Sequence, residues 1–209
     1  MIILGIDEAG RGPVLGPLVV CGAAIPEDKL DIMERMGIKD SKKLTPKRRN
    51  VLSRKIQKIA DCHIVKITAR DIDNLRARDV NLNEIEKIAM IKVINMAQPD
   101  SVIIDSVDVD PDRLKREVQD VIGEGISVKS EHGADDKYLP VAAASIVAKV
   151  ERDLEIEKLA RKFRKIGEIG SGYPSDPRTK AFLQNFEYDE MPDCVRKSWA
   201  TVEKLKNKK

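Results

Sequence analysis

The chain has 209 residues, enough for one sizeable α/β domain with a small appended element and a self-sufficient core. Its 38 Lys and Arg against 35 Asp and Glu leave a net charge of +3, which excludes an overwhelming basic field, so any nucleic acid has to be met by a local patch. The three cysteines show no CxxC spacing and Cys21 lies in an apolar run, so reduced thiols and a cytoplasmic setting are expected, with neither a secretion signal nor a membrane span.

Ile2 to Ile6 reads as a short buried strand and Leu15 to Ile25 as a second. Between them Gly5-Ile-Asp-Glu-Ala-Gly-Arg-Gly-Pro13 joins two adjacent carboxylates to a glycine-flanked arginine. In a regular strand Asp7 and Glu8 point to opposite faces, so both serve one site only if the strand ends there; Gly10 and Gly12 permit such an exit. Consecutive N–H groups of Gly10-Arg11-Gly12 suit a phosphate or a sugar hydroxyl, with Arg11 adding charge, although a plain turn with a solvent arginine fits equally well. The spacing nearly matches a Walker A loop. That reading fails, because Arg stands for Lys, Gly for Ser or Thr, two acids would face the phosphates, and a β-like run follows where a helix belongs.

Lys42, Lys43, Lys47 and Arg48 surround the start of a helix expected over 46–60, opened by Thr45 as N-cap and Pro46 in its first turn. That placement favours an anion, while a solvated face explains the same charges. Cys62 to Thr68 reads as a strand in which His63 is structural, and Asn83 to Met96 as a helix. The strand from Ser101 to Ile104 ends on Asp105, so a second strand delivers an acid at its terminus. Asp108-x-Asp110-x-Asp112 begins like a calcium loop, but Arg113 and Gln119 stand where the turn Gly and closing Glu belong, so these acids start a helix from Pro111.

A fainter strand over Ile126 to Ser130 leads to His132 and then to Asp135 or Asp136, either of which offers a fourth carboxylate. His132 reads as a surface or hydrogen-bonded histidine, close enough to Asp135 to aid proton movement. A long helix over Tyr138 to Phe163 sets Ser145, Lys149 and Arg152 on one face, where they meet a substrate phosphate or pair with acids. Gly167, Gly170, Gly172 and Pro174 then break the chain, leaving Tyr173 on a loop where it stacks on a sugar or base unless it simply packs. Short helices near Pro177 to Gln184 and Val195 to Lys206 close a mixed α/β sheet with a helical end.

Taken singly, each acid is as readily a solvated or capping residue. Brought together, ionised carboxylates repel, and a cation relieves the repulsion. Oxygen donors with no His or Cys among them favour Mg²⁺ or Mn²⁺ over zinc, and four acids frame two-metal phosphoryl chemistry with ions roughly 3.5–4 Å apart.

Through GIDEAGRGPVLGP, DSKKLTPKRR, IIDSVDVD, ADDKYLPVAAASIVAKVERD, GSGYPSDPRT and VRKSW, in that order, the sequence resembles the archaeal type of ribonuclease HII, the type 2 ribonuclease H. The resemblance covers nearly the whole chain. It implies a ribonuclease H-like mixed sheet flanked by helices over 1–174 with a C-terminal helical segment over 175–209. It further implies a monomeric enzyme of DNA replication and repair that hydrolyses the RNA strand of RNA–DNA hybrids with Mg²⁺ or Mn²⁺. In this family's pattern Asp7, Glu8, Asp105 and Asp135 fall on the catalytic, metal-holding acids. Gly10, Arg11 and Gly12 fall on the loop that senses the ribose 2′-OH, and Tyr173 on the tyrosine that reads the sugar at an RNA-to-DNA junction. Cleavage is then expected 5′ of a ribonucleotide embedded in duplex DNA, leaving 3′-OH and 5′-phosphate ends, with Lys42, Lys43, Ser145 and Lys149 as further substrate contacts. Gly133 departs from the lysine common at that position, which touches one phosphate or carboxylate contact. Two other classes compete: a non-catalytic hybrid-binding module, and a different two-metal DNA nuclease of the same fold.

Overall fold

The computed structural model describes residues 1–38 and 44–206, so Lys42 and Lys43 lie outside the described residues. Strands β1 (Ile2–Ala9), β2 (Leu18–Pro26), β3 (Asp61–Ile67), β4 (Ser101–Asp105) and β5 (Ser127–Glu131) form a mixed sheet in the order β3-β2-β1-β4-β5. β1 runs antiparallel to β2 and parallel to β4, and β4 is parallel to β5. The helices are α1 (Leu30–Arg35), α2 (Pro46–Ile56), α3 (Ala69–Arg76), α4 (Leu82–Ala97), α5 (Pro111–Ile122), α6 (Ala134–Lys137), α7 (Leu139–Phe163), α8 (Pro177–Leu183) and α9 (Ala200–Glu203). None of the described helices is long and apolar enough to cross a membrane.

The elements start where local chemistry dictates. Thr45 accepts a hydrogen bond from Arg48 N with Pro46 in the first turn of α2, and Asp110 accepts from the amides of Asp112 and Arg113 at the start of α5. Four expectations shift. β1 runs on to Ala9, held in register by Glu8 opposite Val20 and Ala9 opposite Val19, so the strand does not exit at the acids. β2 begins at Leu18, because Gly16 adopts φ +85° and Leu15 bridges Val195 instead. Val195, taken by that bridge, cannot open a helix, and the last helix contracts to α9. Thr68, read as a strand end, is the N-cap of α3 in a reciprocal capping box with Asp71.

The chain divides into two units that are discontinuous in sequence. One comprises Met1–Ala9, Val19–Val65 and Asn83–Val150, and the other Gly10–Leu18, Lys66–Leu82 and Glu151–Lys209. The first packs Val19, Cys21, Ala23 and Ile25 of β2 with Met33, Ile56, Ala142, Ala143, Ile146 and Val147. The helix approaches β1 so closely that a Cβ on Gly5 would lie 2.1 Å from the Pro140 carbonyl carbon, leaving no room for any side chain. The second gathers Val14, Leu15, Phe163, Ile169, Phe182, Leu183, Val195 and Val202.

Candidate active site

Asp7 near the end of β1, Asp105 at the end of β4 and Asp135 in α6 converge, each offering an oxygen within 4.8 Å of the others. Two parallel neighbouring strands bring the first two together, since Ile6 pairs with Ile104 one residue before each acid. The third arrives because Gly133 takes the left-handed φ of +64° and turns the chain from β5 into α6. Nothing lies within 4 Å of a Cβ built at Gly133, so a larger residue there meets backbone strain and no clash. The Ala134 amide then donates to Asp105 Oδ1 at 3.1 Å, tying α6 to β4. Asp135 is buried, at 3% exposure, whereas its neighbour Asp136 is exposed.

Asp7 is held on several sides. The Glu8 amide donates to Asp7 Oδ1 at 2.8 Å, Ser145 hydrogen-bonds its carboxylate, and Lys149 Nζ donates to Ser145 Oγ at 2.6 Å. Burial raises the Asp7 carboxyl from 3.8 to about 6, the Ser145 bond opposing that rise, negative Asp105 adding to it and Lys149 opposing it. Ser145 is fully buried, so its hydroxyl serves Asp7.

Glu8 is not among the three residues whose oxygens lie within 4.8 Å of one another, although its side chain reaches that of Asp7. Burial, then the charges of Asp7, Glu86 and Asp105, push its carboxyl well above 4.5. Glu8 Oε2 is buried and finds no hydrogen-bond partner among the described residues. Carboxylates under mutual repulsion, with an orphaned oxygen beside them and no His or Cys in the group, are the donor set that a hard divalent cation satisfies.

Gly12, Arg152 and Tyr173, also singled out in the sequence, gather in the second unit, whereas Lys47 and Arg48 belong to the first. A Cβ on Gly12 would sit 3.4 Å from Tyr173 Cε1, and the Tyr173 ring, 41% exposed, carries the Arg152 guanidinium 5.3 Å from its centroid. Arg152 also donates to the Ser171 carbonyl, and the Val14 amide to the Gly172 carbonyl at 2.8 Å. Asp176 shapes the turn before α8 by accepting from the amides of Ser171 and Arg178, which hold its carboxyl well below the usual carboxylate range. His132 lies outside both groups, its ring nitrogens 3.3 and 3.4 Å from the carbonyls of Ser106 and Val109, and His63 faces Asp61 at 3.4 Å.

The family model for ribonuclease HII matches residues 4–202. The chain belongs to the ribonuclease HII family. It is 66% identical over 206 residues to ribonuclease HII of Methanothermobacter thermautotrophicus, covering 99% of this chain and 100% of that one. Among solved structures it superposes on ribonuclease H2 from Pyrococcus horikoshii with a TM-score of 0.90 at 42% identity, over 99% of this chain and 97% of that one. It also superposes on a chain of the PCNA–ribonuclease HII complex from Archaeoglobus fulgidus with a TM-score of 0.87 at 44% identity, over 95% of each.

Two buried charges of the chain went unread in the sequence. Glu86, with no exposed surface, lies in α4 close enough to act on Glu8, inside a Glu-Ile-Glu-Lys stretch that resembles any solvated helix face. Arg196, equally buried, sits beneath the Gly10–Gly12 loop, and only its place in VRKSW marked it.

Proposed function

We infer that this protein is an endoribonuclease that hydrolyses the RNA strand of RNA–DNA hybrids and cuts 5′ of single ribonucleotides embedded in duplex DNA. The observation that carries the reading is the convergence of buried Asp7 and Asp135 with half-buried Asp105, whose mutual repulsion a cation would relieve. Asp7, Asp105 and Asp135, with Glu8 beside them, hold two divalent ions, Mg²⁺ or Mn²⁺. When bound, such ions supply an activated water and neutralise charge developing on the scissile phosphate. The chain's own groups keep the ligands in place: Lys149 orients Ser145, Ser145 orients Asp7, and the Ala134 amide orients Asp105.

Ala9 alone separates Glu8 from Gly10, so the ribose-sensing loop follows the acids directly along the chain. In this reading the amides of Gly10-Arg11-Gly12 meet the 2′-OH at the scissile nucleotide. The exposed Tyr173 ring lies against the neighbouring deoxyribose, and Lys42 and Lys43 meet backbone phosphate. A binding module without catalysis would have no use for acids held at such electrostatic cost, and a DNA nuclease would have no use for the loop and the tyrosine.

The test is an end-labelled duplex with one embedded ribonucleotide, incubated with Mg²⁺ beside an all-DNA control, with the product ends assigned by mass. A cut 5′ of the ribonucleotide with 3′-OH and 5′-phosphate ends is expected. Cutting of the control, or cyclic-phosphate ends formed by the 2′-OH itself, refutes the reading.

A further inference from the structure

Arg196 has no exposed surface, and all of its guanidinium nitrogens donate to backbone carbonyls of one short segment. Nε donates to the Gly16 carbonyl at 3.1 Å, Nη1 to the Arg11 carbonyl at 3.0 Å and Nη2 to the Gly10 carbonyl at 2.7 Å. The Trp199 ring backs the guanidinium, its centroid 4.8 Å from the arginine Cζ. Asp73 of α3 fixes the intervening residues by accepting from the amides of Lys197 at 2.8 Å and Ser198 at 3.0 Å. The Arg196 amide itself donates to the Val14 carbonyl at 2.9 Å, closing the segment from both sides.

These bonds decide which way the loop presents itself. In a trans peptide the carbonyl of one residue and the N–H of the next point in opposite directions, and no peptide bond among the described residues is cis. With the carbonyls of Gly10 and Arg11 turned onto the buried guanidinium, the amides of Arg11 and Gly12 aim away from it. Gly10 at φ +92° supplies the backbone reversal this needs. Two successive amides facing one way, over a buried positive charge, form a concave donor pair for an electronegative oxygen.

We propose that Arg196 is a positioning residue for sugar discrimination: it locks the Gly10–Gly12 loop with two amides outward, so that the enzyme tells ribose from deoxyribose. This rests on the reading that the loop senses the 2′-OH. A planar fork with fixed donor directions is required, because a lysine ammonium on a flexible stem cannot hold three carbonyls in one plane. The role is distinct from catalysis, since Arg196 touches no reacting atom and belongs to the unit that lacks the acids.

The experiment compares the affinity for a duplex carrying one ribonucleotide with that for the same sequence in all-DNA form, by fluorescence anisotropy in chelator so that nothing is cut. For the wild type the ratio of the two affinities is expected to be at least about tenfold, and for Arg196→Lys to fall to within about twofold of unity. The all-DNA affinity is expected to change by less than about twofold, because phosphate contacts carry it. In Mg²⁺ the same variant raises KM for the single-ribonucleotide duplex more than it lowers kcat. A purely structural arginine would weaken both duplexes equally, and an unchanged ratio or an equal loss overturns the proposal. Should Arg196→Lys not fold, Trp199→Leu removes the ring that backs the guanidinium while keeping an apolar side chain against the core; a threefold or greater fall in the ratio with unchanged all-DNA affinity supports the proposal, and no fall overturns it. Gly12→Pro, which removes one outward amide, separates the two layers of inference. If Gly12→Pro keeps the wild-type ratio, or the wild type shows none, the loop is not the sensor and both fall. If Gly12→Pro loses the ratio while Arg196→Lys keeps it, only the role of Arg196 falls.

Discussion

The acid group and the glycine loop are neighbours in sequence and opposites in construction. The first is made of side chains whose charges oppose one another: burial and mutual repulsion raise Asp7 to about 6 and push Glu8 well above its ordinary value. The second is made of backbone whose Gly10 and Arg11 carbonyls are met by the guanidinium of Arg196 beneath the loop. One region is incomplete without a ligand of opposite charge. The other is finished before the substrate arrives. A site that must bind cations keeps its repulsion in reserve, whereas a site that must measure a sugar by one hydroxyl needs a rigid ruler.

The widest separation between the regions is expected in turnover. Asp105→Asn should lower kcat on any hybrid by on the order of 10³-fold, close to 4 kcal/mol of transition-state stabilisation, without changing the ribose-to-deoxyribose affinity ratio. Steady-state rates at saturating Mg²⁺ beside the anisotropy assay check this, and rates within a few-fold of wild type would remove the acid from the mechanism. Asp136→Asn, altering an exposed carboxylate outside the triad, should leave kcat within about twofold, against a loss of order 10²-fold or more for Asp135→Asn.

Stability separates the regions next. Asp7 has a folded pKa of about 6 against an ordinary 3.8, so the folded state holds this proton more tightly than the unfolded one. Its contribution favours the metal-free fold at low pH and is lost as pH rises from about 4 through about 6, by about 3 kcal/mol at about 1.4 kcal/mol per pKa unit. Asp7→Asn should therefore be the more stable protein at pH 7 in chelator, with the advantage shrinking below pH 5 and reversing on addition of Mg²⁺. Urea unfolding at several pH values, with and without the ion, reads all three conditions.

Tyr173→Ala sharpens the comparison from the other side. Loss of an aromatic platform worth ~1–3 kcal/mol should weaken recognition of a single embedded ribonucleotide by about tenfold or more, with long hybrids cut within about twofold of wild type. Parallel kcat/KM measurements on the two substrates decide it, and an equal loss on both would make the ring a general contact. Thr68→Ala, which removes the cap of α3, should cost about 1 kcal/mol in thermal unfolding and leave kcat within about twofold of wild type.

Two of the acids were legible because an apolar run closing on a charge has few readings, although β1 itself runs past Asp7 to Ala9. Ile2 to Ile6 before Asp7, and Val102 to Ile104 before Asp105, marked two of the three converging carboxylates. Asp135 and Asp136 could not be told apart by residue type; burial, set by the left-handed turn at Gly133, separates them. Ser145 and Lys149 were placed on one helical face, but whether that face meets phosphate or acid depended on how closely α7 approaches β1 at Gly5.

What the sequence determined by itself is therefore local: the apolar runs that lead into Asp7 and Asp105, the caps of α2 and α5, the glycines that bend the first loop, and through its ordered motifs the family. Tertiary structure alone decided that β1 continues to Ala9, that Leu15 pairs with Val195 across most of the chain's length, and that the chain forms two interleaved units. It decided also that Glu86 and Arg196 are buried charges among a surplus of ordinary solvated ones. The reason is physical. Conformational preference is set by a residue's own backbone and its nearest neighbours, whereas the environment of a charge is set by whatever the fold packs around it, and for Arg196 that is the carbonyls of a loop some 180 residues away.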